Sequence, residues 1–233
     1  MNEVIVLEVD YTVLGADDKI YPVVLKDEKS TALIDCGYIG SLDKIEKALM
    51  EKEISPESIT HIIITHHDHD HIGALADFKT KFPKVKIIAS AEEAPYISGQ
   101  KKSPRLVQAE ELQKILPEEQ KKFGIFFMNV LKSVQPAQVD STVFPGDVLD
   151  ICGGCRILDT SGHTDGHISL YLESMGTVIA GDGAVLENGQ LEIANPQFTL
   201  NEEGAQKSLD LLKALDAETI ICYHGGVLER ETF

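Results

Sequence analysis

The sequence of 233 residues has no tryptophan, four cysteines, and far fewer basic than acidic residues, 21 lysines and arginines against 38 aspartates and glutamates. Each shortage excludes something. Four cysteines are too few for a disulfide framework at this length, which points to a reducing compartment and so to the cytoplasm. A net charge of −17 repels phosphate backbones and anionic lipid, so neither nucleic acid nor a membrane surface is expected as a partner. No apolar run approaches the roughly 20 residues that a spanning helix needs. The opening stretch MNEVIVLEVDYTVL lacks the basic segment and unbroken apolar run of a secretion signal. The apolar content of 43% is ordinary, enough to bury a core and too high for disorder.

What is present is an ordered alternation of patterns. VIVLEVDYTVL, YPVVLKD and STALIDCG alternate apolar and polar residues, as antiparallel strands do. Ser41 to Lys52 changes to a helical period through Leu42, Ile45 and Leu49, with Ser41 as N-cap. A short buried strand over Ile59–Thr65 precedes a helix over Ile72–Phe82, which Pro83 ends, and KVKIIAS is the next strand. From about 91 to 145 the chain is helix-rich, and Phe123, Phe126, Phe127, Val130, Leu131 and Val134 form one apolar stripe. Strands return in VLDIC, CRILDT, HISLYLE and TVIAGD. A capping box at Thr199–Glu202 opens a helix through Leu215, and TIICYH closes the pattern. Cys152 and Cys155 form a CxxC, but DICGGCRIL reads more simply as a strand, a Gly-Gly turn and a second strand.

The apolar strands repeatedly run into histidine or aspartate. IIIT leads into the six residues His66–His71, all histidine or aspartate; RILDTSG leads into His163, VIAG into Asp182, and IICY into His224. If these strand ends share one edge, their loops converge on one site, which is how a metal site is built on a rigid scaffold. Any one of His61, His163, His167 or His224 alone reads as a structural or surface histidine. Six crowded ionisable residues do not, because their burial is costly unless a cation compensates.

These residues also carry a family resemblance. Over essentially its whole length the sequence resembles the metallo-β-lactamase-fold hydrolases, whose pattern is His-x-His-x-Asp-His after a strand, followed by separate His, Asp and His ligands. THHDHDH places His66, Asp70 and His71 on that pattern, TSGHTDGHISLY supplies His163, IAGD supplies Asp182 and CYHGG supplies His224. LIDCG matches an early Asp-x-Gly motif, in which Asp35 would support the ligands without being one. The fold implied is α+β, a four-layer αββα sandwich of two mixed sheets, in a single domain over 1–233 with a helical insertion at about 91–145.

The resemblance implies two divalent metal ions, zinc first and manganese or iron as alternatives. His66, Asp68 and His163 would hold one, Asp70, His71 and His224 the other, and Asp182 would bridge them. A hydroxide between the ions would attack a small-molecule ester, lactone, thioester or related substrate, with Asp70 as the catalytic carboxylate that takes or passes the proton. One position departs from the pattern, because Asp68 stands where the family has its second histidine. A third aspartate makes the site more anionic and harder, shifting preference towards manganese or iron. His67 and His69 are then extra, as hydrogen-bonding groups beside the ligands; the alternative is that one of them displaces Asp68. Two other classes stay open: a diiron redox protein related to the flavodiiron oxidoreductases, which carry a carboxylate at this position, and a non-catalytic metal-binding protein. The apolar stripe has two readings, a lid over the metal edge or a helix face packed on its own neighbours.

Overall fold

Strand residues of opposite parity face two different cores, and that parity sets the layers. The computed structural model describes residues 1–13 and 16–230; Leu14, within the first alternating stretch, lies outside them. The first half of the chain forms β1 (Glu3–Val6), β2 (Val9–Val13), β3 (Ala16–Ile20), β4 (Val23–Lys26), β5 (Thr31–Ile34), α1 (Leu42–Glu51), β6 (His61–Ile64), α2 (Leu75–Lys81) and β7 (Lys86–Ser90). Helices α3 (Ala94–Ile97), α4 (Pro104–Ile115) and α5 (Lys121–Ser133) follow. The second half forms β8 (Ser141–Val143), β9 (Val148–Leu149), β10 (Cys155–Asp159), β11 (Ile168–Leu172), β12 (Thr177–Gly181), β13 (Val185–Glu187), β14 (Gln190–Glu192), α6 (Glu202–Ala214), β15 (Thr219–Cys222) and β16 (Gly226–Glu229).

Among the described residues, two six-stranded sheets carry the fold, ordered β1-β4-β5-β6-β7-β8 and β16-β15-β12-β11-β10-β9. Both are mixed: β5 to β8 run parallel beside an antiparallel β1–β4–β5 edge, and β12 pairs parallel with β15. Leu25, Ile34, Ile63 and Ile88 of the first sheet share a core with Ile157, Leu170, Ile179 and Ile221 of the second, so the sheets pack face to face. The alternate residues Val24, Leu33, Ile62 and Ile87 pack outward on Ile45 and Leu49 of α1 and Leu75 and Phe78 of α2. On the far side, Val178, Ala180 and Ile220 meet Leu209 and Leu212 of α6. The result is the expected αββα sandwich.

Several local expectations change. Residues 141–143 are not part of a helical segment: β8 pairs with β7 and extends the first sheet. Ser41 precedes α1 but does not cap it, because its hydroxyl donates to Tyr38 O at 2.5 Å. The cap of α6 is Asn201, whose Oδ1 accepts from Gly204 N at 3.0 Å, while the Thr199 hydroxyl is taken up by Ala194 O and Asn195 O. Cys152 and Cys155 are free and buried at a β9–β10 hairpin, as the simpler reading holds. Its connection is longer than two residues, however, with Cys152, Gly153 and Gly154 all at positive φ.

The loop after β6 has one position with no room at all. A Cβ on Gly73 would lie 2.2 Å from Ile39 N, 2.3 Å from Tyr38 C and 2.5 Å from His69 O, and none of these backbone atoms can move aside cheaply. Gly73→Ala is therefore expected to cost at least about 3 kcal/mol, at the upper end of overpacking penalties, read from the shift in a urea unfolding midpoint.

Candidate metal centre

The parallel strands β5, β6 and β7 end in Asp35, Thr65–His66 and Ser90, and β12 and β15 end beside Asp182 and His224. The sheets are tied together there by Ile168 N donating to Thr65 O at 3.2 Å. All seven ligands anticipated from the sequence converge on this edge. They form three overlapping groups: His66, Asp68 and His163; His66, His71 and Asp182; Asp70, His71 and His224. Within each group the ligand atoms lie within 4.8 Å of one another. Asp182 stands between the outer two, with Oδ1 3.3 Å from His71 Nε2 and 3.8 Å from His224 Nε2, and Oδ2 3.5 Å from His163 Nε2.

The residues fit a metal on a specific observation. His66 Nε2, His71 Nε2 and Asp182 Oδ1 are buried at this point with no hydrogen-bond partner. Buried polar atoms are normally satisfied, and three converging exceptions are what a cation would occupy. The opposite ring nitrogens are already committed. His71 Nδ1 donates to Asp35 Oδ2 at 2.8 Å, and His66 Nδ1 lies 3.0 Å from Thr65 Oγ1. With Nδ1 engaged, Nε2 of each ring faces the site as a lone pair. Asp35 is held in turn by Thr65 N at 2.9 Å and Thr65 Oγ1 at 2.7 Å, in a left-handed backbone conformation with φ of 58°. It thus fixes the ring of His71 and the start of the loop after β6.

The field at this edge is strongly negative. Burial opposes ionisation of Asp68, but Arg105 and hydrogen bonds from His163 and His66 hold its carboxyl well below its ordinary value. Asp182 and Asp70 are likewise lowered against burial, chiefly by His71. Burial alone would lower His71, yet Asp182, Asp35 and Asp70 outweigh it and raise the imidazole well above its usual range. Asp182 and Asp70 likewise raise His224 against burial, so in the absence of another cation His71 and His224 carry compensating charge.

Two participants, Glu93 and Arg105, carried no signal in the sequence, and the partners of His67, His69 and His167 emerge only here. Glu93, fully buried after β7, accepts from His67 N at 3.0 Å, Gly166 N at 3.1 Å and Thr164 Oγ1 at 2.7 Å, and closes a very short contact with His67 Nδ1. His67 is thereby turned to a carboxylate of its own. His69 lies beside Asp70, 3.4 Å from Oδ1, so Asp68 alone of the three joins the His66–His163 group. His167 holds Asp182 from behind. Its Nε2 accepts from Asp182 N at 3.0 Å, which leaves the proton on Nδ1 for Thr160 Oγ1 at 2.8 Å. Burial pushes the pKa of His167 well down, in keeping with that neutral tautomer. Arg105, the second residue of α4, donates to Asp68 from Nη2 at 2.8 Å and from Nε at 3.2 Å to each oxygen.

Above these groups lies a cavity of about 960 Å³. Asp68, Asp70, His163, Asp182 and His224 line its polar part, and Phe123, Phe126, Phe127 and Val130 of α5 line it together with Tyr38 and with Phe198, whose ring packs beside Phe127. The stripe divides: Phe123 and Phe126 are each 49% exposed and line the cavity with Phe127 and Val130, whereas Leu131 is buried and Val134 packs on the core. Among the described residues, no helix is long and apolar enough to cross a membrane.

Comparison with known proteins shows the family and the fold. A model of the metallo-beta-lactamase superfamily matches residues 17–224. A probable metallo-hydrolase of Bacillus subtilis (strain 168) is 25% identical over 227 residues, spanning 92% of this chain and 83% of its own length. A hydroxyacylglutathione hydrolase of Rhizobium meliloti (strain 1021) is 27% identical over 93% of this chain, which spans 65% of that protein. The structure superposes on a metallo-beta-lactamase family protein from Thermus thermophilus with a TM-score of 0.74, covering 97% of this chain and 74% of that one. At 23% identity that likeness establishes the fold.

The support that Asp35 gives His71 can be measured directly. Asp35→Asn keeps the side-chain shape and tolerates the left-handed backbone, but removes the charge that fixes the ring. Zinc affinity, read by chelator competition, is expected to fall by about 10- to 100-fold with the fold intact.

Proposed function

The chain belongs to the metallo-beta-lactamase superfamily, and we propose that it is a metal-dependent hydrolase of small-molecule esters, lactones or thioesters with an apolar acyl part. The observation that carries this reading is the set of unpartnered buried atoms His66 Nε2, His71 Nε2 and Asp182 Oδ1, grouped with the Asp68, Asp70, His163 and His224 side chains that line a large, mostly apolar cavity. Two divalent ions, zinc first and manganese or iron as alternatives, would be held by His66, Asp68 and His163 and by Asp70, His71 and His224, with Asp182 between. When bound, such ions supply activation of water and polarisation of the substrate carbonyl.

The chain's own groups do the rest. Asp70 Oδ2 faces His224 Nε2 at 3.2 Å, which leaves Oδ1, beside His69, as the oxygen that takes the proton of the attacking water and returns it to the leaving group. The walls of the cavity bind the acyl part and exclude water from it. Apolar contacts remote from the reacting carbonyl hold it in place and lower the entropic part of the barrier.

The cavity also speaks against a glutathione thioester, which carries carboxylates. Asp18 and Glu187 line it, and its two cationic side chains are engaged: Arg105 with Asp68, and Lys44 with Asp10 O at 2.6 Å. Neutral substrates suit that lining better. The location in the cytoplasm expected from the cysteine count accords with a small metabolite as substrate.

Two measurements test the reading. Purified protein supplemented with metal is expected to hold close to two ions per chain by elemental analysis; fewer than one would end the dinuclear mechanism. Phe126→Ala and Phe127→Ala, checked for retained fold, are expected to lower kcat/KM about tenfold or more on long acyl esters and much less on acetyl esters, since burying one aromatic side chain contributes about 1.5–3 kcal/mol. Equal losses on long and short chains would return the stripe to a packing role.

A further inference from the structure

Arg105 is an expensive residue in its position. It is 2% exposed, next to Asp68 at 6%, so both charges of the pair have left water. It also sits in the first turn of α4, after Ser103 as N-cap and Pro104, where the helix dipole disfavours a cation. Neither helix stability nor packing accounts for that placement. The guanidinium spans both oxygens of Asp68, and its remaining Nη1 donates to Gln108 Oε1 at 2.7 Å.

The oxygen that Arg105 grips most closely is the one turned to the ligand group. Asp68 Oδ2 accepts from Nη2 at 2.8 Å and lies 3.1 Å from His163 Nε2 and 3.6 Å from His66 Nε2. A carboxylate shared in this way with a guanidinium is a weaker, less anionic donor to a cation than a free one. The charge balance follows. Three aspartates against two divalent ions would leave one positive charge, and Arg105 brings the balance back to two, the value reached with a neutral histidine at position 68.

We propose that Arg105 and Asp68 act as one charge-neutral ligand unit, in which the helical insertion supplies the cation that lets an aspartate occupy a position suited to histidine. The proposal rests on the metal-site reading given above. It also replaces the expectation that Asp68 by itself makes the site harder and more anionic. Arg105 is here a positioning residue that acts through Asp68, and it ties α4 to the metal site.

The test is a cycle of Asp68→His, Arg105→Gln and the double variant, with zinc alone as probe and affinity measured by chelator competition. Asp68→His leaves a buried guanidinium unpaired against the metal positions, and its zinc affinity is expected to fall by about tenfold or more. Arg105→Gln in that background is expected to restore most of the loss. In the wild-type background the same substitution removes both a repelling charge and the group that orients Asp68, so it does not tighten binding comparably. That reversal is the signature of the pair, because a residue that only anchors the insertion would weaken zinc binding, or leave it unchanged, in both backgrounds. Asp68→His binding zinc as tightly as wild type, or a double variant no better than Asp68→His, would overturn the proposal. Should Asp68→His fail to fold, the isosteric Asp68→Asn takes its place under the same rule: Arg105→Gln must tighten zinc binding once residue 68 is neutral. Wild-type protein that binds no zinc, manganese or iron would overturn the metal reading and this proposal together, whereas metal binding without the reversal overturns only the role of Arg105.

Discussion

Asp35, Asp68, Glu93 and Asp182 are carboxylates buried at one edge of a two-sheet sandwich, with Asp70 at their margin. Taking such a group out of water costs several kcal/mol unless its oxygens find donors or a cation, and five in one place compound the cost by mutual repulsion. The architecture around them is a set of solutions to that one problem. Asp35 is met by Thr65 and His71, Glu93 by His67, Thr164 and Gly166, Asp68 by Arg105 and His163, and the backbone of Asp182 by His167. Among the atoms left unmet are His66 Nε2, His71 Nε2 and Asp182 Oδ1, which belong to one group of closely spaced ligand atoms.

The fold makes this concentration possible because β5, β6 and β7 end at one edge and the second sheet brings Asp182, His163 and His224 to it from the other side. Rigid strands, each buried on both faces, fix where their terminal loops begin. Short side-chain contacts then fix the rings. The chain from His167 through Thr160 Oγ1 and Ser169 Oγ to Ala180 O has one consistent direction of donation, set by the need of Asp182 N for an acceptor. The tautomer of His167 is thereby determined by its contact with Asp182 N.

The segment between the sheets' halves has two separable roles. Helix α5 presents an apolar wall to the cavity, with Phe127 5.7 Å from both Phe198 and His69. Helix α4 reaches the floor through Arg105 and adds charge. The first role concerns what the site admits, the second what the site can hold, and both come from a part of the chain that carries none of the histidine motifs.

The candidate ligand residues were legible in the sequence because apolar strands run into them and because they fall on the motifs of the family the chain resembles, and the layers were legible because apolar alternation reports which residues share a face. Asp35 and the buried β6 strand belong to the same class of local signal. Other features were settled only by the tertiary structure. Arg105 is 37 residues from Asp68 in sequence, and nothing in PRLVQAEELQKI marks one arginine as buried. Glu93 looks like a surface residue, and His67 has no named partner, until β7 and the ligand loop are placed side by side. The stripe on α5 has the same period whether it meets a core or a cavity, so periodicity could not choose between them. Ser141–Val143 becomes a strand because β7 offers it an open edge, and Asn201 caps α6 while the Thr199 hydroxyl is taken up by Ala194 O and Asn195 O. Spacing along the chain determines which residues can act together locally; partners that meet across the fold are decided by which elements pack, since charge and hydrogen bonding act through space.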